Sequence, residues 1–156
     1  MQIDYLDSGD SNICEEVLRA LPDWFGIESS TVSYIKKSPE LPMLVAREDD
    51  ATMGFVQLLK HSAYTSEIYV MGVKKEFHRR GVGSALVQEA ENILGKQGFE
   101  FLQVKTVSDA RDCPFYVETR KFYRAYGFRD VEVFPTLWDS FNPCLLLIKS
   151  IARSVE

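Results

Sequence analysis

Residues Ser66 to Ala90 run from an apolar stretch, SEIYVMGV, through a short basic segment, KKEFHRRGVG, into SALVQEA, where apolar residues take up helical spacing. A strand that must become a helix across two closely spaced glycines has few ways to fold. The strand is partly β-branched and aromatic, which suits a pleated, largely buried position. The helix carries Ala85, Leu86, Ala90, Ile93 and Leu94 in one apolar stripe, closed by Gly95 or Gly98, and that stripe needs a sheet or another helix beneath it. The junction predicts a mixed α/β domain with helices packed on a central sheet.

The flanking sequence fills in that domain. Ile3 and Tyr5 suit a short first strand. LDSGDSN leads to Asn12 with Glu15 three residues on, a capping-box pattern ahead of a helix over ICEEVLRAL. Pro22 and Gly26 break it, and SSTVSYIKKS begins a second helix that Pro39 and Pro42 end. MLVAR, MGFVQLLK and SEIYVMGV predict three successive antiparallel strands. Beyond the central helix lie a buried strand in FEFLQVKTV, then a helix with Phe115, Thr119, Phe122 and Tyr126 on one face and Gly127 at its end. Two last strands follow in FRDVEVF and PCLLLIKSI. The apolar density of PCLLLIKSI fits a buried inner strand or a strand that pairs or packs across a homodimer interface. At 156 residues and 46% hydrophobic content, residues 1–156 are expected to form one domain with a substantial core.

Composition excludes several function classes. A net charge of −5 and a basic segment without an interleaved aromatic platform argue against nucleic-acid binding. Cys14, Cys113 and Cys144 are odd in number and widely spaced, which fits neither a disulfide framework nor a zinc site. MQIDYLDSGD lacks a basic start and an apolar core, and no apolar run approaches the roughly 20 residues of a membrane helix, so a cytoplasmic protein without membrane attachment is expected. His61 and His78 have no Cys, Asp or Glu at ligand spacing, and no metal is expected. No histidine lies near Cys113 in sequence to activate it, which argues against an acyl-cysteine route.

The glycine turn has its own chemistry. Amides at a helix N-terminus lack intrahelical partners and share the positive end of the dipole, so they cradle anions, phosphate above all. Gly81 and Gly83 allow close backbone approach, and Lys74, Lys75, Arg79 and Arg80 form the densest basic cluster of an acidic chain; together they imply a polyanionic ligand. A P-loop is ruled out because GxxxxGK followed by Ser or Thr is missing. A dinucleotide fingerprint is ruled out because Leu86 stands where its third glycine belongs. Taken alone, Gly81-Val82-Gly83 also fits a plain tight turn with solvated arginines.

The longer segment VMGVKKEFHRRGVGSALV resembles the coenzyme A-binding motif of the GNAT superfamily of acyl-CoA-dependent N-acetyltransferases, whose pattern is (Q/R)xxGxG or (Q/R)xxGxA after a strand and at the start of a helix. His78 stands where the family usually has Gln or Arg. RKFYRAYGF resembles the family's second landmark, a Phe-Tyr pair on a helix closed by Gly-Phe before a strand. The resemblance implies a mostly antiparallel sheet of about seven strands, splayed between the fourth and fifth and flanked by about four helices. It implies acetyl-CoA held by the backbone of Met71, Gly72 and Val73 and by the cradle from His78 and Arg79 through Arg80, Gly81, Val82, Gly83 and Ser84. A backbone N–H near Met71 would stabilise the oxyanion formed when an amine attacks the thioester.

By the same resemblance Tyr123 would protonate the departing thiolate, with Phe122 facing the core. Tyr116 stands where the family often has an Asn at the start of that helix. An alkylamine is mostly protonated at neutral pH, so presenting it as a nucleophile costs about 4 to 5 kcal/mol and calls for a base. Carboxylates on the fourth strand often serve in the family, directly or through water, which points to Glu67; an exposed strand-end glutamate is the plainer alternative. The acceptor wall would draw on Trp24, Phe25, Glu28 and Tyr34, and on Trp138 and Asp139. The implied reaction is transfer of an acetyl group to a primary amine, on a small molecule or a peptide, by direct attack in a ternary complex. A homodimer is a further family trait. An acyl-CoA sensor without turnover is the competing function.

Overall fold

The computed structural model describes residues 1–152. Residues 153–156, counted within the one domain expected from the sequence, lie outside the described residues. The chain runs β1 (Gln2–Leu6), α1 (Ser11–Arg19), α2 (Glu28–Lys37), β2 (Met43–Glu48), β3 (Ala51–Lys60), β4 (Thr65–Val73), α3 (Val82–Lys96), β5 (Phe101–Val107), α4 (Pro114–Tyr126), β6 (Arg129–Asp139) and β7 (Asn142–Ser150). The strands form a single sheet in the order β1-β2-β3-β4-β5-β7-β6. Every neighbouring pair is antiparallel except β4 and β5. Seven strands and four helices on a mixed sheet are what the pattern of apolar segments predicts.

The sheet is covered on both faces, so its middle strands read as continuous apolar runs. On β2, Leu44 and Ala46 join the core beneath α3, while Met43 and Val45 join the one beneath α1. On α3 the buried stripe is Val82, Leu86, Val87, Ala90 and Leu94. It is rotated slightly from the expected one, and Ala85 and Ile93 are only half-buried.

Strands β4 and β5 pair only over Thr65–Ile68 against Phe101–Val104. Beyond that point the edge of β4 that would face β5 has no strand partner. A bulge coincides with the parting: Gln57 opposes Val70 and Leu58 opposes Ile68, leaving Tyr69 without a partner on β3. An extra residue bends a strand and adds twist, which steers the end of β4 away from β5. The same insertion reverses the facing of the residues after it, so Ile68 packs in one core and Val70 in the other.

Two local expectations are corrected and one open choice is settled. The cap of α1 is Asp10, whose carboxylate accepts from the Asn12 amide at 2.8 Å, and Glu15 instead pairs with Arg19. An Asp10→Ala variant is expected to lose about 1 kcal/mol, read as a Tm about 2 to 4 °C lower by circular dichroism. On α4 the innermost residues are Arg120 and Tyr123, not Phe115, which is exposed. The Arg120 guanidinium donates to the Val107 carbonyl at 2.8 Å and ties α4 to the end of β5. Finally, both edges of β7 are taken, by β5 and β6, so PCLLLIKSI is an inner strand with no edge free to pair across a dimer interface. Among the described residues, no helix is long and apolar enough to cross a membrane.

Candidate active site

Two features meet at the C-terminal ends of β4 and β5. One is the unpaired edge of β4 from Tyr69 to Val73. The other is the start of α3, where Gly81 adopts φ 77°, a left-handed conformation open to glycine at little cost. The first helical bond runs from the Ala85 amide to the Gly81 carbonyl at 3.0 Å, so the amides of Val82, Gly83 and Ser84 are left without intrahelical partners. Gly83 sits in a tight space: a Cβ there would lie 3.2 Å from Phe122 Cζ and 3.4 Å from Met71 Cε, so these side chains would have to give by a few tenths of an ångström. A Cβ at Gly81 would meet nothing within 4 Å, so that glycine answers to backbone conformation alone. Arg79 also lies in the left-handed region, at φ 61°.

The basic cluster around this cradle is less free than its sequence implies. Lys74 pairs with Glu16, Lys75 with Asp23 at 2.7 Å and Arg80 with Glu48 at 2.8 Å. Arg79 has no ion pair among the described residues. The amides, more than the side chains, supply the anion-binding character of the turn.

His78 folds back, and its Nε2 donates to the Val73 carbonyl at 2.6 Å. Its ring meets Trp24 edge-on at 5.6 Å. Trp24 sits in the connection between α1 and α2, with its own ring 5.0 Å from that of Phe115 and its Nε1 donating to the Phe115 carbonyl at 3.3 Å. Tyr116 completes the tie by donating to the Trp24 carbonyl at 2.7 Å. The α1–α2 connection therefore reaches across the ends of β4 and β5 to α4.

Tyr123 is 7% exposed, edge-on to Phe122 at 5.3 Å and to Phe128 at 5.5 Å. Burial pushes its phenol well above the ordinary tyrosine range, and among the described residues nothing hydrogen-bonds its hydroxyl. Phe122 is the half-buried member of the pair, next to Gly83, which reverses the expected facing of the two.

Glu67 is buried, not an exposed strand end. Parallel pairing sets it beside Gln103, whose Nε2 donates to Glu67 Oε1 at 2.7 Å; Lys105 Nζ at 3.0 Å and His61 Nε2 at 2.8 Å reach the same oxygen. On that side of the sheet a cleft of about 310 Å³ is lined by Ser29, Ser30, Ser33, Tyr34, Tyr69 and Trp138. Tyr34 and Tyr69 meet edge-on at 5.4 Å. Burial, with the nearby Tyr69 and Glu67 charges adding to it, pushes the Tyr34 phenol up to about 12.

Of the expected acceptor-wall residues, the cleft unites Tyr34 and Trp138. Phe25 backs it by packing edge-on against Tyr34 at 6.1 Å, and Trp24 belongs to the α4 tie. Glu28 is turned to Arg19 in a bidentate pair at 2.9 and 3.0 Å, which holds its carboxyl below the usual range. Asp139 shapes the β6–β7 turn by accepting from the amides of Phe141 and Asn142. Sequence reasoning did not find Tyr69, His61, Gln103 or Lys105. They are brought together by strand register and a bulge, for which one sequence offers no local signal.

The model of the acetyltransferase (GNAT) domain family matches residues 39–130, which span β2 to the start of β6. The chain belongs to the acetyltransferase (GNAT) domain family. Among curated proteins it is similar to the mycothiol acetyltransferase of Clavibacter sepedonicus, at 31% identity over 91 residues, 58% of this chain and 28% of that protein. The GNAT chain thus matches little more than a quarter of the length of that relative. Among solved structures its fold is that of a GNAT-family protein from Desulfovibrio desulfuricans, with TM-score 0.82 and 17% identity, over 97% of this chain and 100% of the other. It shares that fold with an aminoglycoside 6'-N-acetyltransferase complexed with coenzyme A, at TM-score 0.76 and 17% identity over the whole of both chains. The ribosomal-protein-S18-alanine N-acetyltransferase of Escherichia coli superposes at TM-score 0.77 and 13% identity, over 99% of this chain and 96% of that one.

Proposed function

We propose that this GNAT domain is an N-acetyltransferase that moves the acetyl group of acetyl-CoA to a primary amine by direct attack in a ternary complex. The observation that carries the reading is the unpaired β4 edge running into three free amides at the start of α3. An extended arm can pair with the first while its phosphates meet the second. Acetyl-CoA supplies the activated thioester and the acceptor supplies the amine. Backbone groups of Met71, Gly72 and Val73 hold the arm, with His78 vacating the Val73 carbonyl. The turn from Arg79 and Arg80 through Gly81, Val82, Gly83 and Ser84 holds the phosphates. An amide near Met71 faces the developing oxyanion.

Tyr123 provides a hydroxyl on the α4 side, and Glu67 takes the amine proton on the side of the cleft. Tyr34 and Trp138 form aromatic walls for the acceptor. The names of the aminoglycoside and S18-alanine enzymes support an amine acceptor, and the coenzyme A complex supports the donor. Calorimetric titration with acetyl-CoA, free CoA and ATP is expected to show saturable micromolar binding of the CoA ligands and none of ATP. Thiol release from acetyl-CoA with a panel of primary amines, covering amino sugars, polyamines and peptide N-termini, then tests turnover. Absence of CoA binding by folded protein would remove the proposal. Binding without turnover of any amine would favour an acyl-CoA sensor.

A further inference from the structure

Glu67 uses its two oxygens unequally. Oε1 accepts three hydrogen bonds, from His61, Gln103 and Lys105, while among the described residues none donates to Oε2. An ionised carboxylate has lone pairs on both oxygens, so Oε2 keeps acceptor capacity that these three donors do not use. Only 6% of the Glu67 side chain is exposed, and a buried carboxylate needs an opposite charge, which Lys105 provides. The donors arrive from separate elements: His61 from the turn between β3 and β4, and Gln103 and Lys105 from β5. The other groups near enough to feel this charge are Tyr34 on α2, Tyr69 on β4 and Cys144 on β7. Tyr34 and Tyr69 line the acceptor cleft.

We propose that His61, Gln103 and Lys105 are positioning residues that clamp Oε1 of Glu67 and leave Oε2 as the oxygen that takes the proton of the acceptor ammonium. This rests on the reading of Glu67 as the base. In that step an N–H bond of the ammonium breaks with its electron pair remaining on nitrogen. An O–H bond forms at Oε2, the carboxylate becomes a neutral acid, and the proton passes to solvent before the next cycle. Gln103 and Lys105 share one face of β5 and both reach Oε1, so they hold that oxygen in place. His61, whose side chain is 37% exposed, closes the clamp from the solvent side.

The test measures kcat and both KM values across pH, by thiol release from acetyl-CoA with the amine of the panel that turns over fastest. Glu67→Gln is expected to lower kcat about 10²- to 10³-fold. Lys105→Met is expected to lower kcat about tenfold with KM for acetyl-CoA unchanged. His61→Ala should cost about fivefold, with His61→Gln, which keeps an N–H donor, recovering most of it. Gln103→Leu serves as a second test of the clamp if Lys105→Met does not fold.

Full loss in Glu67→Gln with wild-type rates and profiles in the clamp variants would overturn the positioning role and leave the base intact. Wild-type behaviour of Glu67→Gln would overturn the base and the clamp with it. Turnover of no amine would overturn the function on which both rest.

Discussion

Replacing Tyr123 with Phe lowers kcat about 10²-fold, leaves acetyl-CoA affinity within about twofold and barely changes stability; this is the expected result of removing one oxygen from an otherwise intact core. The reasoning starts from the environment. The ring is held edge-on between Phe122 and Phe128, contacts that Phe would keep. Its hydroxyl bonds to nothing among the described residues, so its loss breaks no native hydrogen bond. Burial keeps the phenol protonated across the whole working pH range, because desolvation disfavours the phenolate. A permanently protonated donor is what a departing thiolate needs nearby. Even an unperturbed phenol is a weaker acid than a thiol by about 1.5 pKa units, and burial widens that gap, so the help lies in hydrogen-bonding the charge that grows on sulfur. Steady-state kinetics with a binding titration on the same variant checks this, and an unchanged kcat would make Tyr123 a packing residue alone.

The second large effect concerns stability. Gly54 on β3 lies opposite Val73, and a Cβ added there would fall 2.6 Å from the Gly72 carbonyl oxygen and 3.0 Å from the Val73 Cα. Both obstacles are backbone, which cannot swing aside as a flexible side chain can. Gly54→Ala is therefore expected to cost about 2 to 3 kcal/mol in chemical denaturation, with a measurable loss of acetyl-CoA affinity because the displaced residues are those proposed to hold the donor. Gly81→Ala makes the contrasting control. It meets no atoms and costs only the left-handed conformation, about 1 to 2 kcal/mol. A Gly54→Ala variant as stable as the parent would show that β3 and β4 can part without penalty.

These cases mark how far the sequence can be read. The turn into α3 was legible because its determinants are local: glycine at 81 for the left-handed angle, free amides at the next three positions, and a helical stripe behind them. The ends of helices at Pro39 and Gly127 and the number of strands were legible for the same reason. The α4 face was misread because periodicity counts apolar residues, and the residue that joins Tyr123 in facing inward is Arg120, which is buried through a bond to the backbone of β5. The basic cluster was misread because its neutralising partners, Glu16, Asp23 and Glu48, lie far away in sequence.

The sequence by itself determined the order of elements, the cradle and the family, since backbone conformation and short-range periodicity are properties of neighbouring residues. Only the tertiary structure decided the surroundings of Glu67. Its burial, its hydrogen bonds from β5 and its place near Tyr34 depend on the parallel register of β4 with β5 and on the bulge at Tyr69. Register is set by the packing of the two cores against the whole sheet, and no short segment carries that information.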